Sequence, residues 1–284
     1  MKNPSNTAFR YTLGPTWSPP RPERLRRAVQ NKVVLITGAS SGIGKATALL
    51  LGASGAHVVL VARRAERLDD VRGDIEAGGG TAEAQPADLA DMEAVDRLVG
   101  KVLAGHEAVD VVISNAGKSI RRSLTDTTDR FHDVTRTNDV NYLGPVRLLM
   151  GLLPAMRERG RGHLVNVSTF GVDVPTANWS VYTASKAAFE AWLRCVAPEV
   201  RADGVATTSI HFPVVHTAMS APVYSRVPGL TTRDAAGVIG RALITRRRVI
   251  SPWWARMAGP VVDLAQAPYD TATAARLRAA RRRG

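Results

Sequence analysis

The 284-residue chain has one cysteine, Cys195, so no internal disulfide can form, and a reducing compartment such as the cytoplasm is the matching setting. Paired cysteines and Cys/His spacings of the kind that hold structural zinc are absent. His106, His132 and His163 show no ligand spacing either, so no metal is expected. No apolar run is long enough to span a membrane. The opening stretch MKNPSNTAFRYTLGPTWSPPRPERLRR has none long enough for a secretory signal.

The middle of the chain also lacks an excess of charge. Of the net charge of +13, residues 1–30 hold six basic side chains against Glu23, and residues 241–284 hold ten arginines against Asp263 and Asp270. That leaves 22 charges of each sign between them. A body that read nucleic acid would carry the basic footprint itself, so no specific nucleic-acid partner is expected. The basic ends suit a solubilising tail, an anionic membrane surface or loose association with nucleic acid.

What is present is a regular alternation of strand and helix patterns. KVVLITG (32–38) is a continuous apolar run closed by glycine, as in a strand buried on both faces. Further strands are expected at HVVLVAR (57–63), TAEAQPADL (81–89), VDVVISNAG (109–117), GHLVNVST (162–169), ATTSIHFP (206–213) and RRVISP (247–252). Helical patterns fill 43–55, 65–79, 91–106, a long region ending near Arg159, the stretch YTASKAAFEAWLRCVAPEV and 231–245, with Pro145 and Pro154 as local irregularities. This predicts one α/β domain over 31–250, an open, doubly wound parallel sheet flanked by helices on both faces. Residues 1–30 read as a Pro-rich basic extension and 251–284 as an apolar and basic one.

The first strand ends in TGASSGIG, which places Gly38, Gly42 and Gly44 where a buried strand turns into a helix. Glycine tolerates positive φ and admits a pyrophosphate close to the backbone, and the following helix N-terminus faces the negative charge. Gly38, Ser40, Ser41, Gly42, Ile43 and Gly44 are therefore the candidate nucleotide cradle. An acid at the end of the second strand would favour NAD(H); Ala62 stands there instead, followed by Arg63 and Arg64, which suits the 2′-phosphate of NADP(H). The alternative is a pair of solvated arginines at a helix start. Asp88, beside Leu89, could accept a hydrogen bond from an adenine amino group or cap the helix that begins at Asp91.

YTASK (182–186) sets Tyr182 and Lys186 on one helix face, one turn apart. Alone, such a pair is an ordinary polar stripe. Together with TGASSGIG and NAG (Asn115, Ala116, Gly117), in this order and spacing, it resembles the short-chain dehydrogenase/reductase family over about residues 31–250. The resemblance implies a Rossmann-type fold, an NADP(H)-dependent oxidoreductase and association into a homodimer or homotetramer through the long helices around 128–158 and 182–202. It also implies roles for Ser168 in VNVSTFG, which would polarise a substrate oxygen, and for Asn141 in DVNYLG, which would position a water in a proton relay. Nearby Asn138 lacks the following glycine pattern. Tyr182 would act as acid/base, and Lys186 would hold the nicotinamide ribose and, with an oxidised nicotinamide, lower the tyrosine pKa from its usual value near 10. A lowering of about three units corresponds to roughly 4 kcal/mol.

Two departures from the family pattern stand out. Its Pro-Gly after the sixth strand is Pro213-Val214 here, although Thr217 still matches the residue that contacts the nicotinamide carboxamide. The Ser168-to-Tyr182 interval is one residue longer than usual, which makes Val172, Val174 and Trp179 candidate pocket lining. The segment after Thr217, AMSAPVYSRVPGL, is apolar with Arg226 as its one charge, so a lid over a hydrophobic aldehyde, ketone or acyl-chain carbonyl is expected. Beyond it, Trp253, Trp254, Met257, Val261, Val262 and Leu264 could form an apolar ridge before the arginine-rich end. Such a ridge could make a peripheral membrane contact or pack on the lid or a neighbouring subunit. The competing functional reading is a non-catalytic NADP(H)-binding sensor or scaffold with a membrane-associating tail.

Overall fold

Seven strands line up side by side in the order β3-β2-β1-β4-β5-β6-β7, every pair parallel, in a computed structural model that describes residues 13–14, 17–174, 176–224, 226–255, 257 and 264–281. They are β1 (Val33–Thr37), β2 (His57–Ala62), β3 (Thr81–Pro86), β4 (Val111–Ser114), β5 (Gly162–Thr169), β6 (Val205–Phe212) and β7 (Val249–Ile250). The helices are α1 (Pro22–Val29), α2 (Gly42–Gly52), α3 (Ala65–Ala77), α4 (Met92–Gly105), α5 (Leu124–Thr127), α6 (Phe131–Asn138), α7 (Gly144–Glu158), α8 (Ser180–Ala202), α9 (Ala221–Tyr224), α10 (Thr232–Thr245) and α11 (Gln266–Arg281). This is the expected doubly wound sheet, and its strand order reverses between β1 and β4. A crevice opens there beyond the carboxyl ends of the strands, the usual ligand position in such sheets.

The period-two alternation along each strand divides the core between the two faces. Val34, Ile36, Val58 and Leu60 pack with Leu25, Leu51, Val238 and Ile239 of α1, α2 and α10. Leu35, Val59 and Val61 pack with Val95, Leu98, Leu152, Phe189 and Leu193 of α4, α7 and α8. Each such side chain is worth about 1.5–3 kcal/mol relative to exposure.

Three elements depart from the sequence reading. The long helical region before Arg159 is broken into α5, α6, a π-helical turn (Asp139–Leu143) and α7. Pro145 lies in the first turn of α7, directly after the π turn. Gly144 lets that helix approach the loop after β3, because a Cβ there would collide with the Leu89 carbonyl. The chain ahead of β1 is also part of the core. Trp17 is fully buried edge-on against Phe212, its rings 5.7 Å apart, and Arg241 Nε donates to the Ser18 carbonyl at 2.9 Å. Finally, Trp254 turns inward onto Phe170 at 5.6 Å while Trp253 is 62% exposed, so these two do not form one continuous ridge. Val261 and Val262 lie outside the described residues. Among the described residues no helix is long and apolar enough to cross a membrane.

Candidate active site

A cleft of about 600 Å³ runs along the carboxyl ends of β1, β2, β4, β5 and β6. Its floor is the glycine turn. Gly38 and Gly42 hold φ of +68° and +57°, which an L side chain rarely adopts. Ser40, Ser41 and Ile43 line the cleft with them. Gly44 does not line it; a Cβ at this position would run into the Gly38 carbonyl, so this glycine serves the packing of the turn. Thr37, buried beneath the turn, ties it to β4, its hydroxyl accepting from the Asn115 and Ala116 amides at 3.0 Å each. Asn115 Nδ2 donates to the Thr37 carbonyl at 2.9 Å, so that amide locks β4 to β1. Gly117 borders Lys186 and Asn141, where a Cβ would stand 3.5 Å from Nζ and 3.4 Å from Oδ1.

The adenosine end is framed by Arg63, Arg64, Asp88 and Leu89. Asp88 does not cap α4. Asp91 does, accepting from the Ala94 amide at 3.0 Å, while Asp88 accepts from the Ala90 amide and faces Arg63 at 3.8 Å. A smaller recess of about 350 Å³ adjoins this end, lined by Ser40, Ser41, Arg64, Lys45 and Arg67. Lys45 and Arg67 escaped the sequence reading, as did Lys118, which lines the main cleft with its ammonium pKa lowered, first by burial and then by Arg136 and Arg63. Helical spacing from the glycine turn could have pointed to Lys45; nothing local points to Lys118.

At the inner end the four expected residues converge. Ser168, Tyr182 and Lys186 line the cleft, and the buried Ser168 hydroxyl has no hydrogen-bond partner. Lys186 Nζ donates to the Val167 carbonyl at 3.0 Å. Burial pulls its ammonium down to about 8, against Glu190, which raises it. Burial pushes the Tyr182 phenol up to about 12, against the Thr169 hydroxyl, which lowers it. The protein alone thus raises this pKa rather than lowering it. Asn141 is fully buried beside the cleft with its side chain committed: Oδ1 accepts from the Lys118 amide at 2.7 Å, and Nδ2 donates to the Lys118 carbonyl and to Ser185 Oγ at 2.9 Å each. It lies in the π turn, where the backbone ladder is loosened.

The outer end is aromatic. Trp179 meets Tyr182 edge-on at 5.7 Å and stacks on Tyr224 of α9 at 5.9 Å. Phe170, Met219 and Thr176 join the lining, but Val172 and Val174 do not. A 3-10 turn (Phe170–Val172), capped by Thr169, swings Phe170 toward the cleft in their place. Pro213 and Thr217 also line it. Val214 replaces the family glycine without loosening the chain: its carbonyl accepts from the Leu230 amide at 2.9 Å, and Val215 bridges Leu230. Away from the cleft, His57 and His106 converge on Glu83, with His106 Nε2 at 3.2 Å from the carboxylate, a grouping that spacing along the chain does not reveal.

A family model described as short chain dehydrogenase matches residues 32–227. A fatty acyl-CoA reductase of Acinetobacter baylyi is 46% identical over 235 residues, covering 82% of this chain and 80% of that protein. A fatty acyl-CoA reductase of Mycobacterium tuberculosis is 46% identical over 224 residues, covering 78% and 76%. Among solved structures, a metagenomic short-chain oxidoreductase in complex with NADP matches with a TM-score of 0.68 and 31% identity, covering 79% of this chain and 96% of that one.

Proposed function

The chain belongs to the short-chain dehydrogenase family, and on that premise we propose that it is an NADP(H)-dependent reductase of long, apolar carbonyl compounds, with fatty acyl-CoA thioesters as the first substrates to test. One observation carries the reading: Ser168, Tyr182 and Lys186 line the same cleft as the aromatic wall of Trp179, Phe170 and Tyr224. Relatives named fatty acyl-CoA reductases, and a neighbouring fold with NADP bound, support it.

The residues fit such a cofactor. The positive-φ glycine turn leaves the backbone bare where phosphates would lie, and Arg63, Arg64, Lys45 and Arg67 supply the positive charge that a 2′-phosphate needs. When bound, the cofactor supplies the hydride. Ser168 has a free hydroxyl to donate to the carbonyl oxygen as negative charge develops there. Tyr182 then gives that oxygen its proton. Because burial alone pushes the phenol up to about 12, Tyr182 keeps its proton until negative charge develops on the substrate oxygen; Lys186, and the positive charge a nicotinamide would gain on giving up its hydride, then favour release. The committed side chain of Asn141 holds residue 118 in place, which leaves the backbone of the π turn to carry a relay water.

With an acyl thioester, one hydride on carbon and one proton on oxygen give a hemithioacetal, whose collapse releases the thiol and an aldehyde. Leu143 and Met150, exposed on the π turn and α7, lie where the family resemblance implies self-association, and a homo-oligomer is part of the proposal. The test is NADPH consumption by the purified protein across acyl-CoAs, long aldehydes and bulky ketones, with NADH and Tyr182→Phe alongside. Turnover that is specific to NADPH and lost in Tyr182→Phe supports the reading. NADPH binding without turnover on any of them favours the sensor.

A further inference from the structure

Behind the cleft lies a buried polar cluster that no step above uses. His211 of β6 pairs in register with Ser168 of β5, and Ser209 with Asn166, so these four side chains rise from the same face of the sheet. His211 Nδ1 lies 2.8 Å from Asp173 Oδ2, and Nε2 lies 3.5 Å from Glu190 Oε1. Asp173 follows the 3-10 turn that carries Phe170, and it also accepts from Ser251 Oγ at 2.9 Å. Glu190 sits on α8 one turn past Lys186 and two turns past Tyr182, and accepts from Asn166 Nδ2 at 2.9 Å. One imidazole therefore touches the loop that follows Ser168 and the helix that carries Tyr182 and Lys186.

We propose that His211 is a positioning residue for the reaction: clamped between Asp173 and Glu190, it ties the substrate loop and the catalytic helix to β6 and so fixes Ser168, Tyr182 and Phe170 relative to one another. The proposal rests on the reductase reading for what is positioned, and on geometry for the clamp itself. A neutral imidazole has one N–H and would turn a lone pair toward one of the two carboxylates; only the imidazolium serves both. The contact to Glu190 is an ion pair rather than a hydrogen bond, since it is long and Nε2 has no hydrogen-bond partner. Replacing a buried ion network with apolar packing usually costs little or adds stability, so burying one at this junction is better explained by the geometry it imposes.

The charged groups around the imidazole are Asp173 from the loop, Glu190 from α8 and, beyond Glu190, the Lys186 ammonium. Burial would lower the imidazole pKa, but the hydrogen bond it donates to Asp173 and the pull of Glu190 outweigh this and raise it to about 9. The clamp is therefore closed at neutral pH and opens as pH rises through that value. Glu190 also helps keep Lys186 charged, so loss of His211 leaves Glu190 without its counter-charge and acts on Lys186 in turn.

The test uses full-length wild type with His211→Gln, His211→Ala and Asp173→Asn. Imidazole ¹⁵N spectra of the six histidines, with His211 assigned by its loss in His211→Gln, read the charge directly. Two protonated ring nitrogens at pH 7.5 are expected in wild type, and an earlier loss of the proton in Asp173→Asn. Hydrogen exchange of amides 170–174 and 176–178 should speed up about tenfold in His211→Gln. With an acyl-CoA or aldehyde that the wild type turns over, kcat should fall about tenfold in the same variant while NADPH affinity stays within about twofold.

A neutral imidazole at pH 7.5 overturns the proposal. So does unchanged loop exchange in a correctly folded His211→Gln. If the wild type reduces none of the substrates, the reductase reading fails, while the spectra and the exchange rates still decide the clamp. If His211→Ala fails to fold, His211→Gln and Asp173→Asn carry the result.

Discussion

The two ends of the cleft are built from different parts of the chain. The cofactor end is mostly backbone: glycines at positive φ, amides locked by Thr37, and an Asn115 amide that closes one strand onto another. The end proposed to take substrate is mostly side chain: Trp179, Tyr224, Phe170 and Met219, carried on loops and the short helix α9. Backbone architecture tolerates little addition: a Cβ at Gly38 would meet the Ala116 backbone at 2.9 Å, and Gly42 holds a φ that an L side chain rarely adopts. Side-chain architecture can be trimmed with graded losses. Tyr182 and Ser168 stand where the two halves meet.

That contrast can be broken at several points. The largest effect is expected at the junction, where Tyr182→Phe should lower kcat for NADPH oxidation by about 10³-fold and leave NADPH affinity within a few-fold, measured by turnover and by fluorescence titration. Ser168→Ala should cost about 10²-fold in kcat, since one donor to the developing oxyanion is lost. In the cofactor half, Gly44→Ala places a methyl group inside the Gly38 carbonyl, and NADPH titration should show binding lost outright rather than weakened. In the substrate half, Trp179→Ala should raise KM for a long-chain substrate about tenfold, roughly 1.4 kcal/mol, with NADPH affinity unchanged. Equal losses in both parameters would mean that the halves are not separable. Arg64→Ala, at the exposed mouth, should weaken NADPH about fivefold and NADH hardly at all.

The pH dependence of stability sharpens the same contrast. The His211 pKa is raised to about 9 from 6.5, so its stabilisation is complete below about pH 6.5 and lost as pH rises through 9. The Lys186 pKa is lowered to about 8 from 10.5, so its burial penalty is present below 8 and is relieved between 8 and 10.5. Thermal melts without cofactor should therefore lose stability between pH 6.5 and 8, and His211→Gln should flatten that slope. A variant with the wild-type slope would place the titration elsewhere.

Much of the fold was legible because strands buried on both faces read as unbroken apolar runs, and β1 and β2 lie where KVVLITG and HVVLVAR put them. The short ends were less so. β7 keeps two residues of the stretch expected at 247–252, because only Val249 and Ile250 pair with β6. The π turn was invisible, because Asn141 is held there by Lys118 and Ser185, partners 23 and 44 positions away. The loop after Ser168 misled for a related reason: its length announced a pocket wall, but the 3-10 turn decided which side chains face it.

By itself the sequence determined the order of strands and helices, the glycine turn and the one-turn spacing of Tyr182 and Lys186, because these depend on periodicity and backbone freedom over a few residues. Tertiary structure decided what depends on contacts between distant segments. It buried Trp17, Leu25 and Val29 in a core that their Pro-rich, basic surroundings did not suggest, brought Lys45 and Arg67 beside Arg64, and closed Asp173, Glu190 and His211 into one cluster. The physical reason is the same in each case. Local pattern says which face of an element is apolar, while the partner that covers it, and the charge that a buried group meets there, are set only when the sheet assembles.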